Sequence, residues 1–135
     1  MRMMAVDYGD SRTGVAFCDE MEMLASPFCV INERYAPKLI EKLKEIAVEQ
    51  KAKQIVVGLP RNMDGSYGYR CDECRRLGDS LSEATGLPVV YQDERLTTVM
   101  AHEVLSANNV RGAKRKKQVD SVSAVMILQS YIDKR

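Results

Sequence analysis

Three acidic positions, far apart along the chain, could share one chemical task. Asp7 follows an apolar run, and Asp93 and Glu94 follow another. Asp120 lies near the start of an apolar helical pattern. Carboxylates without histidine suit a hard cation such as Mg²⁺ or Mn²⁺, which prefers oxygen ligands and keeps water or substrate phosphate in the rest of its shell. Two such ions about 4 Å apart can activate water and stabilise the leaving oxygen in phosphodiester hydrolysis.

Each acid also has a simpler interpretation. Asp7 could hydrogen-bond the backbone of its own turn, because the residues at 9–11 are Gly, Asp and Ser. Asp93 and Asp120 could be helix-start acids that interact with helix dipoles. Spacing alone leaves both interpretations open.

Positive charge is concentrated in one short segment. The chain has 20 Lys and Arg against 19 Asp and Glu, a net charge of +1 that says little about partners. Between residues 111 and 117, however, the basic residues are Arg111, Lys114, Arg115, Lys116 and Lys117. We expect this segment to be a loop. Such a run is often only solvated surface, but it also suits contact with a phosphate backbone.

Alternating strand and helix patterns must position these residues. The predicted strands cover 3–6, 14–17, 23–31, 54–58 and 89–92, and the predicted helices run from about 38–50, 68–83, 97–108 and 117–133. A strand–helix–strand order implies a crossover and a parallel pair, whose carboxyl ends meet at one edge. Pro27 predicts an edge or bulged third strand, and Gly86 a helix stop. We expect three antiparallel strands followed by two parallel ones, with helices on both faces.

Composition limits the class of protein. A chain of 135 residues, 45% apolar and 29% charged, predicts one globular domain over 1–135. No run reaches the roughly 18 apolar residues of a membrane span. The apolar start is too short for a secretory signal, so we expect a cytoplasmic protein. The four cysteines should then be reduced. Cys71 and Cys74 lie in a helical pattern, which argues against a metal or redox role, and His102 is expected at the surface.

Four sequence blocks resemble the YqgF family, which is also called RuvX. They are Asp7-Tyr-Gly-Asp-Ser-Arg-Thr-Gly-Val-Ala, Val57-Gly-Leu-Pro-Arg-Asn-Met-Asp-Gly, Tyr91-Gln-Asp-Glu-Arg-Leu-Thr-Thr and Val119-Asp-Ser-Val-Ser-Ala-Val-Met-Ile-Leu-Gln-Ser-Tyr. The resemblance implies an α/β, ribonuclease H-like fold with sheet order 3-2-1-4-5 and strand 2 antiparallel. It also implies a divalent-metal nuclease, proposed to process the 5′ end of precursor 16S ribosomal RNA. The family was earlier named a Holliday junction resolvase for its similarity to RuvC.

The resemblance also implies which residues form the site. Asp7, Glu94 and Asp120 match the catalytic acids, and Asp93 shares the second acidic block as a further candidate ligand for Mg²⁺ or Mn²⁺. The residues expected to approach substrate are Arg12, Asn62, Arg95, Arg111, Lys114, Arg115, Lys116 and Lys117. The expected partners are structured RNA and ribosomal precursor particles, with DNA junctions as the alternative and no membrane. The sequence leaves a monomer and a homodimer equally open.

Two other functions compete with RNA cleavage. A DNA junction resolvase would act as a two-fold dimer on four-way junctions, although the fold-related resolvases place an acid at the end of the fourth strand, where this chain has Gly58-Leu59. A nucleic-acid-binding module of the same fold would bind in a salt-dependent way without turnover.

Overall fold

The computed structural model describes residues 1–9, 12–60, 68–93 and 112–134, with positions 69 and 112–121 described by their backbone alone. The elements in chain order are β1 (Met3–Tyr8), β2 (Thr13–Cys18), β3 (Ala25–Ile31), α1 (Ala36–Glu49), β4 (Gln54–Leu59), α2 (Tyr69–Thr85), β5 (Val89–Asp93) and α3 (Gly112–Lys134). The helix that the sequence predicts over 97–108 lies outside the described residues.

The five strands form one mixed sheet in the order β3-β2-β1-β4-β5. β2 is antiparallel to both β1 and β3, whereas β1–β4 and β4–β5 are parallel pairs. The chain returns from β3 to β4 through α1, which is the crossover that a parallel pair requires. The predicted fold class and strand order are therefore confirmed.

Proline determines the shape of the edge strand. Val15 of β2 pairs with Cys29, but the next residue, Ala16, pairs with Pro27, so Phe28 is an extra residue in β3. This is a β-bulge on an edge strand, the setting in which a residue without an N–H is tolerated. The prediction from Pro27 is confirmed, although the strand begins at Ala25 rather than at residue 23.

The core has a layer on each face of the sheet. One layer joins the sheet to α1 and α2 and includes Met4, Val6 and Val57; the other joins it to α3 and includes Met3, Ala5 and Val56. Neighbouring residues of a strand point to opposite faces, so a strand covered on both sides must be apolar throughout. Helices on both faces, as expected, explain the continuous apolar runs of β1 and β4.

The two later helices differ in how well their ends match prediction. α2 ends at Gly86, which has φ 72° and donates its N–H to the Ser82 carbonyl at 2.8 Å, as predicted. α3 begins at Gly112, so the predicted loop over 112–117 is wrong, and Lys114 to Lys117 lie in its first turns. Alanine, lysine and arginine are strong helix formers, and this propensity outweighs the glycine at the start and the unfavourable dipole.

None of the four cysteines forms a disulfide bond. Cys71 and Cys74 are buried in the layer beneath α2, with 1% and 0% of their surface exposed. Cys29 is half-buried, and this burial raises the pKa of its thiol. The Cys71 and Cys74 side chains therefore act as packing residues in the described structure. None of its helices combines the length and apolar composition that a membrane span requires.

Tyr91 joins β5 to α2. Its hydroxyl shares one proton between two acceptors, the Arg75 carbonyl at 3.1 Å and Asp79 Oδ1 at 3.0 Å. Its ring lies against Gly78, where an added Cβ would collide with it. Burial, and after it the hydrogen bond to Asp79, together raise the pKa of Tyr91 to about 12. An unfolded tyrosine has a pKa near 10.

This difference predicts a loss of stability in alkaline solution. Below a pH of about 10 the phenol is neutral in both states, and its contribution to stability is complete; between about 10 and about 12 only the unfolded state ionises, and the contribution is lost. Denaturant unfolding at pH about 9 and about 11 should show a larger drop in the free energy of unfolding for the wild type than for Tyr91→Phe. Equal drops would contradict this assignment.

Candidate active site

Asp7 is the next-to-last residue of β1, and its side chain is half-buried. Met3 and Ala5 of the same strand pack in the α3 layer. Because side chains alternate along a strand, Asp7 also points to the α3 face of the sheet. The carboxylate therefore lies at the carboxyl edge of β1, where open α/β sheets place their ligands.

Glycine flanks Asp7 on both neighbouring strands. Gly14 of β2 is its direct partner. On the other side, β1 pairs Val6 with Val57 in parallel register, which brings Gly58 beside Asp7. The two neighbouring strands therefore place no side chain beside the carboxylate, which favours the close approach of a ligand or a backbone.

β5 presents different residues to the two faces of the sheet. Gly58 pairs with Gln92, and Leu59 pairs with Asp93. Leu59 and Tyr91 pack in the layer of α1 and α2. Alternation therefore directs Asp93, which is exposed, to that face, and directs Gln92 to the face of Asp7. This arrangement does not favour Asp93 as a ligand beside Asp7. The choice of Glu94 stays a prediction, because residue 94 lies outside the description.

α3 passes over the face that carries Asp7. Ala124, Ile127 and Leu128 are buried against the sheet, and position 120 is one turn before Ala124 on that stripe. Near the other end of α3, the Tyr131 hydroxyl accepts a 3.1 Å hydrogen bond from Gln54 Nε2 at the start of β4.

These contacts fix the direction of α3. From Tyr131 back to position 120 the helix rises about 16 Å. From Gln54 to Gly58 the strand rises about 13 Å. The backbone at position 120 is therefore near the level of Asp7. The Asp120 side chain is outside the description, so its role stays a prediction.

Arg12 closes the turn between β1 and β2. The Gly9 N–H donates to the Arg12 carbonyl at 2.9 Å, and a Cβ on Gly9 would lie 2.5 Å from that oxygen, so the turn needs glycine. Arg12 Nη1 is buried and has no hydrogen-bond partner among the described residues. A buried cationic donor normally has a partner, and a substrate phosphate would supply one.

Arg70 is a structural support of this edge that the sequence reasoning missed. Its Nη2 donates to the Tyr8 carbonyl at 2.6 Å, its Nη1 pairs with Glu73 at 2.7 Å, and its guanidinium lies 5.3 Å from the centre of the Tyr8 ring. It thus holds the residue that follows Asp7. Only the Arg70–Glu73 helix pair was visible in the sequence; the contact across 62 positions was not.

Several predicted site residues cannot be placed by the described structure. Asn62, Glu94, Arg95 and Arg111 lie outside it, and Lys114, Arg115, Lys116 and Lys117 are described by backbone alone. Within the described part there is no group of three or more His, Cys, Asp or Glu side chains that could hold a metal. That search does not cover the side chains of Glu94 and Asp120, so the three-acid site stays a prediction.

Comparison with known families decides the relationship. The model of the RuvX family, described as Holliday junction resolvase, matches residues 1–134. The chain belongs to the RuvX family. A RuvX relative from Agathobacter rectalis is 38% identical over 136 residues, covering 98% of this chain and 95% of the relative. One from Heliobacterium modesticaldum is 42% identical over 133 residues, covering 98% and 89%. Both are named as proposed pre-16S rRNA nucleases.

Solved structures show the same fold at low identity. RuvC from Thermus thermophilus is 11% identical with a TM-score of 0.60, covering 100% of this chain and 96% of RuvC. The fowlpox virus resolvase, solved with Holliday junction DNA, is 10% identical with a TM-score of 0.63, covering 99% and 98%. The ribonuclease H-like fold is therefore confirmed. The expected enzyme class, a nuclease that hydrolyses phosphodiester bonds, is confirmed by the family and by the names of its members.

The role of Arg70 can be measured directly. Arg70→Leu removes a charge-assisted hydrogen bond to the Tyr8 carbonyl, so we expect the free energy of unfolding to fall by about 1–3 kcal/mol. Hydrogen exchange should become faster at the end of β1. Arg76→Leu, an exposed arginine of the same helix, is the control and should cost less than about 0.5 kcal/mol. Equal losses for the two variants would remove Arg70 from this role.

Proposed function

We propose that this RuvX-family nuclease is a divalent-metal enzyme that cleaves structured RNA and processes the 5′ end of precursor 16S ribosomal RNA in the cytoplasm. The chain would work as one ribonuclease H-like domain over 1–135. The observation that carries the proposal is the position of Asp7, half-buried at the carboxyl edge of β1 between two glycines. The backbone at position 120 lies near the same level, and the relatives are named for RNA processing.

The donor set fits Mg²⁺ or Mn²⁺. Asp7 supplies a carboxylate in an open setting, and Glu94 and Asp120 are the proposed further ligands. Oxygen ligands without histidine or thiolate are those that these hard cations prefer. When bound, such a cation lowers the pKa of water and stabilises the leaving oxygen of a phosphodiester. Asp93 would at most support this set from the neighbouring position of β5.

The basic residues would bind and orient the substrate. Arg12 has a buried guanidinium nitrogen without a described partner at the edge that carries Asp7. It would hold the phosphate next to the reacting bond, together with Asn62 and Arg95. Residues 114–117 would contact flanking phosphates from the first turns of α3, with Arg111 just before them.

Resolution of DNA junctions is the second candidate. The family description and the fowlpox resolvase solved with junction DNA favour it. Against it, β4 ends in Gly58-Leu59, where the fold-related resolvases carry an acid, so the chain lacks one carboxylate of that pattern. A resolvase would also act as a homodimer.

Asp7→Asn tests the metal assignment. Cleavage of a 5′-extended 16S precursor should fall by about 100-fold or more, since even residues that only support metal ligands cost about 10–100-fold. Thermal unfolding without metal should be unchanged. Asp133→Asn is the matched control, because Asp133 is an exposed acid at the opposite end of α3 from position 120. Wild-type cleavage that persists in a chelator would rule out the proposal.

The same assay separates the two candidates. The RNA precursor and a four-way DNA junction are presented at equal concentration to the wild type, and the mass of the enzyme–substrate complex is measured in parallel. We expect cleavage of the RNA. Symmetric cleavage of the junction by a dimer, with the RNA left intact, would instead establish the resolvase.

Replacing Lys114 and Lys116 by alanine tests the basic segment. In a chelator, which prevents cleavage, RNA binding should weaken, and the slope of log K against log salt should become shallower by about 1 per lysine. Lys38 and Lys44, which are exposed on α1, provide the control pair of equal charge. An equal change of slope for the control pair would show that RNA binding depends on the net charge of the protein and not on the position of these two lysines.

A further inference from the structure

Gln92 carries a buried oxygen that the described residues leave without a partner. Its Oε1 atom is inaccessible to solvent and accepts no hydrogen bond from them. A buried acceptor in this condition is destabilising, and native proteins rarely leave one. Gln92 therefore needs a group that is not among the described side chains.

The position of Gln92 indicates where that group would lie. Gln92 pairs with Gly58, which is beside Asp7, and the register and the strand alternation place Asp7 and Gln92 on the same face. Their strands are two spacings apart, about 10 Å. The strand between them contributes only the hydrogen of Gly58. The space above Gly58 is thus bounded by a carboxylate on one side and a carboxamide on the other.

The chemistry of the two side chains limits what can fill this space. An amide oxygen accepts hydrogen bonds or binds cations, and it repels phosphate oxygens. Asp7 on the other side likewise attracts a cation. Oxygen ligands lie about 2.0–2.1 Å from Mg²⁺, so the side chains of two residues on alternate strands are long enough to reach one ion, directly or through one of its waters. Among the described residues, the buried donors without a partner are Arg12 Nη1 and Thr13 Oγ1, which lie at and beside the turn on the opposite side of Asp7, and Ser123 Oγ of α3.

We propose that Gln92 is a further positioning residue of this nuclease, whose carboxamide oxygen binds the divalent cation held by Asp7, directly or through one of the cation's waters. The inference rests on the proposed function, because it requires that Asp7 holds a cation. Under this proposal, β5 contributes a neutral oxygen ligand from Gln92. Its neighbour in β4, Gly58, has no side chain and contributes none. A neutral ligand coordinates without adding negative charge that would repel the substrate phosphate.

The test measures Mn²⁺ binding without RNA, by calorimetry and by the electron paramagnetic resonance of free Mn²⁺. Gln92→Leu should weaken binding by about 10-fold or more. Gln92→Glu, which keeps an oxygen and adds charge, should bind at least as tightly as the wild type. Gln54→Leu is the matched control: this glutamine is 8% exposed, pairs with Tyr131 at the start of β4, and should leave Mn²⁺ affinity unchanged.

Stability without metal gives a second readout. Gln92→Leu removes the unsatisfied acceptor, so the metal-free protein should be as stable as the wild type or more so while its Mn²⁺ affinity falls. A merely structural glutamine would lose stability and leave the affinity unchanged. If Gln92→Leu does not fold, the Mn²⁺ affinity of the folded Gln92→Glu variant is the deciding measurement. Weaker binding by Gln92→Glu than by the wild type would overturn the proposal.

The remaining outcomes separate this inference from the proposed function. If Asp7→Asn loses Mn²⁺ binding and Gln92→Leu keeps it, the role of Gln92 is overturned and the metal-dependent nuclease stands. If Gln92→Leu keeps Mn²⁺ binding but loses a preference for RNA over DNA, its oxygen accepts from the ribose 2′-hydroxyl, and the cation role is again overturned. If neither variant changes Mn²⁺ binding, both proposals fail.

Discussion

The parallel pairing of β1 with β4 is the interaction on which the rest of the structure depends. It can form only after the chain has crossed one face of the sheet through α1, and it buries both strands between helices on the two faces. Such strands must be apolar until they leave the core. Asp7 is the first charged residue of β1, and it lies where the strand leaves the core at the carboxyl edge of the sheet. Core packing thus determines the position along β1 at which a charged side chain is tolerated.

Around Asp7 the sheet combines open space with support. At Gly14 and Gly58 the two neighbouring strands place no side chain beside the carboxylate. On the other face, the Arg70 guanidinium donates a hydrogen bond to the Tyr8 carbonyl and lies over the Tyr8 ring. These contacts hold the end of β1 in place from the face opposite Asp7. The proposed binding of a cation and a phosphate needs both properties, because ligands act only when their backbone is rigid and their surroundings admit the substrate.

The course of α3 connects the acidic and basic parts of the chain. A loop over 112–117 would have let the lysines move independently of position 120. Because one helix runs from Gly112 to Lys134, the basic segment and position 120 belong to the same element, which is packed on the sheet through Ala124, Ile127 and Leu128. The net charge of +1 conceals this arrangement. The basic residues proposed to bind phosphate and the acid proposed to bind a cation therefore lie in adjacent turns of a single helix.

Local signals in the sequence determined much of this protein: the apolar runs of β1 and β4, the edge strand at Pro27, the helix stop at Gly86 and four family blocks were enough for the fold and the enzyme class. The first three features act over a few residues, through propensity and sterics, whereas the enzyme class follows from the resemblance of the four blocks to the family. Only the tertiary structure decided that Gln92 rather than Asp93 shares the face of Asp7, because the pairing of β4 with β5 sets which residue points to which side. The contact of Arg70 with Tyr8 likewise depends on α2 packing against the sheet. The start of α3 was misjudged because a glycine and a dense cluster of positive charge suggested a loop, where strong helix propensity prevails.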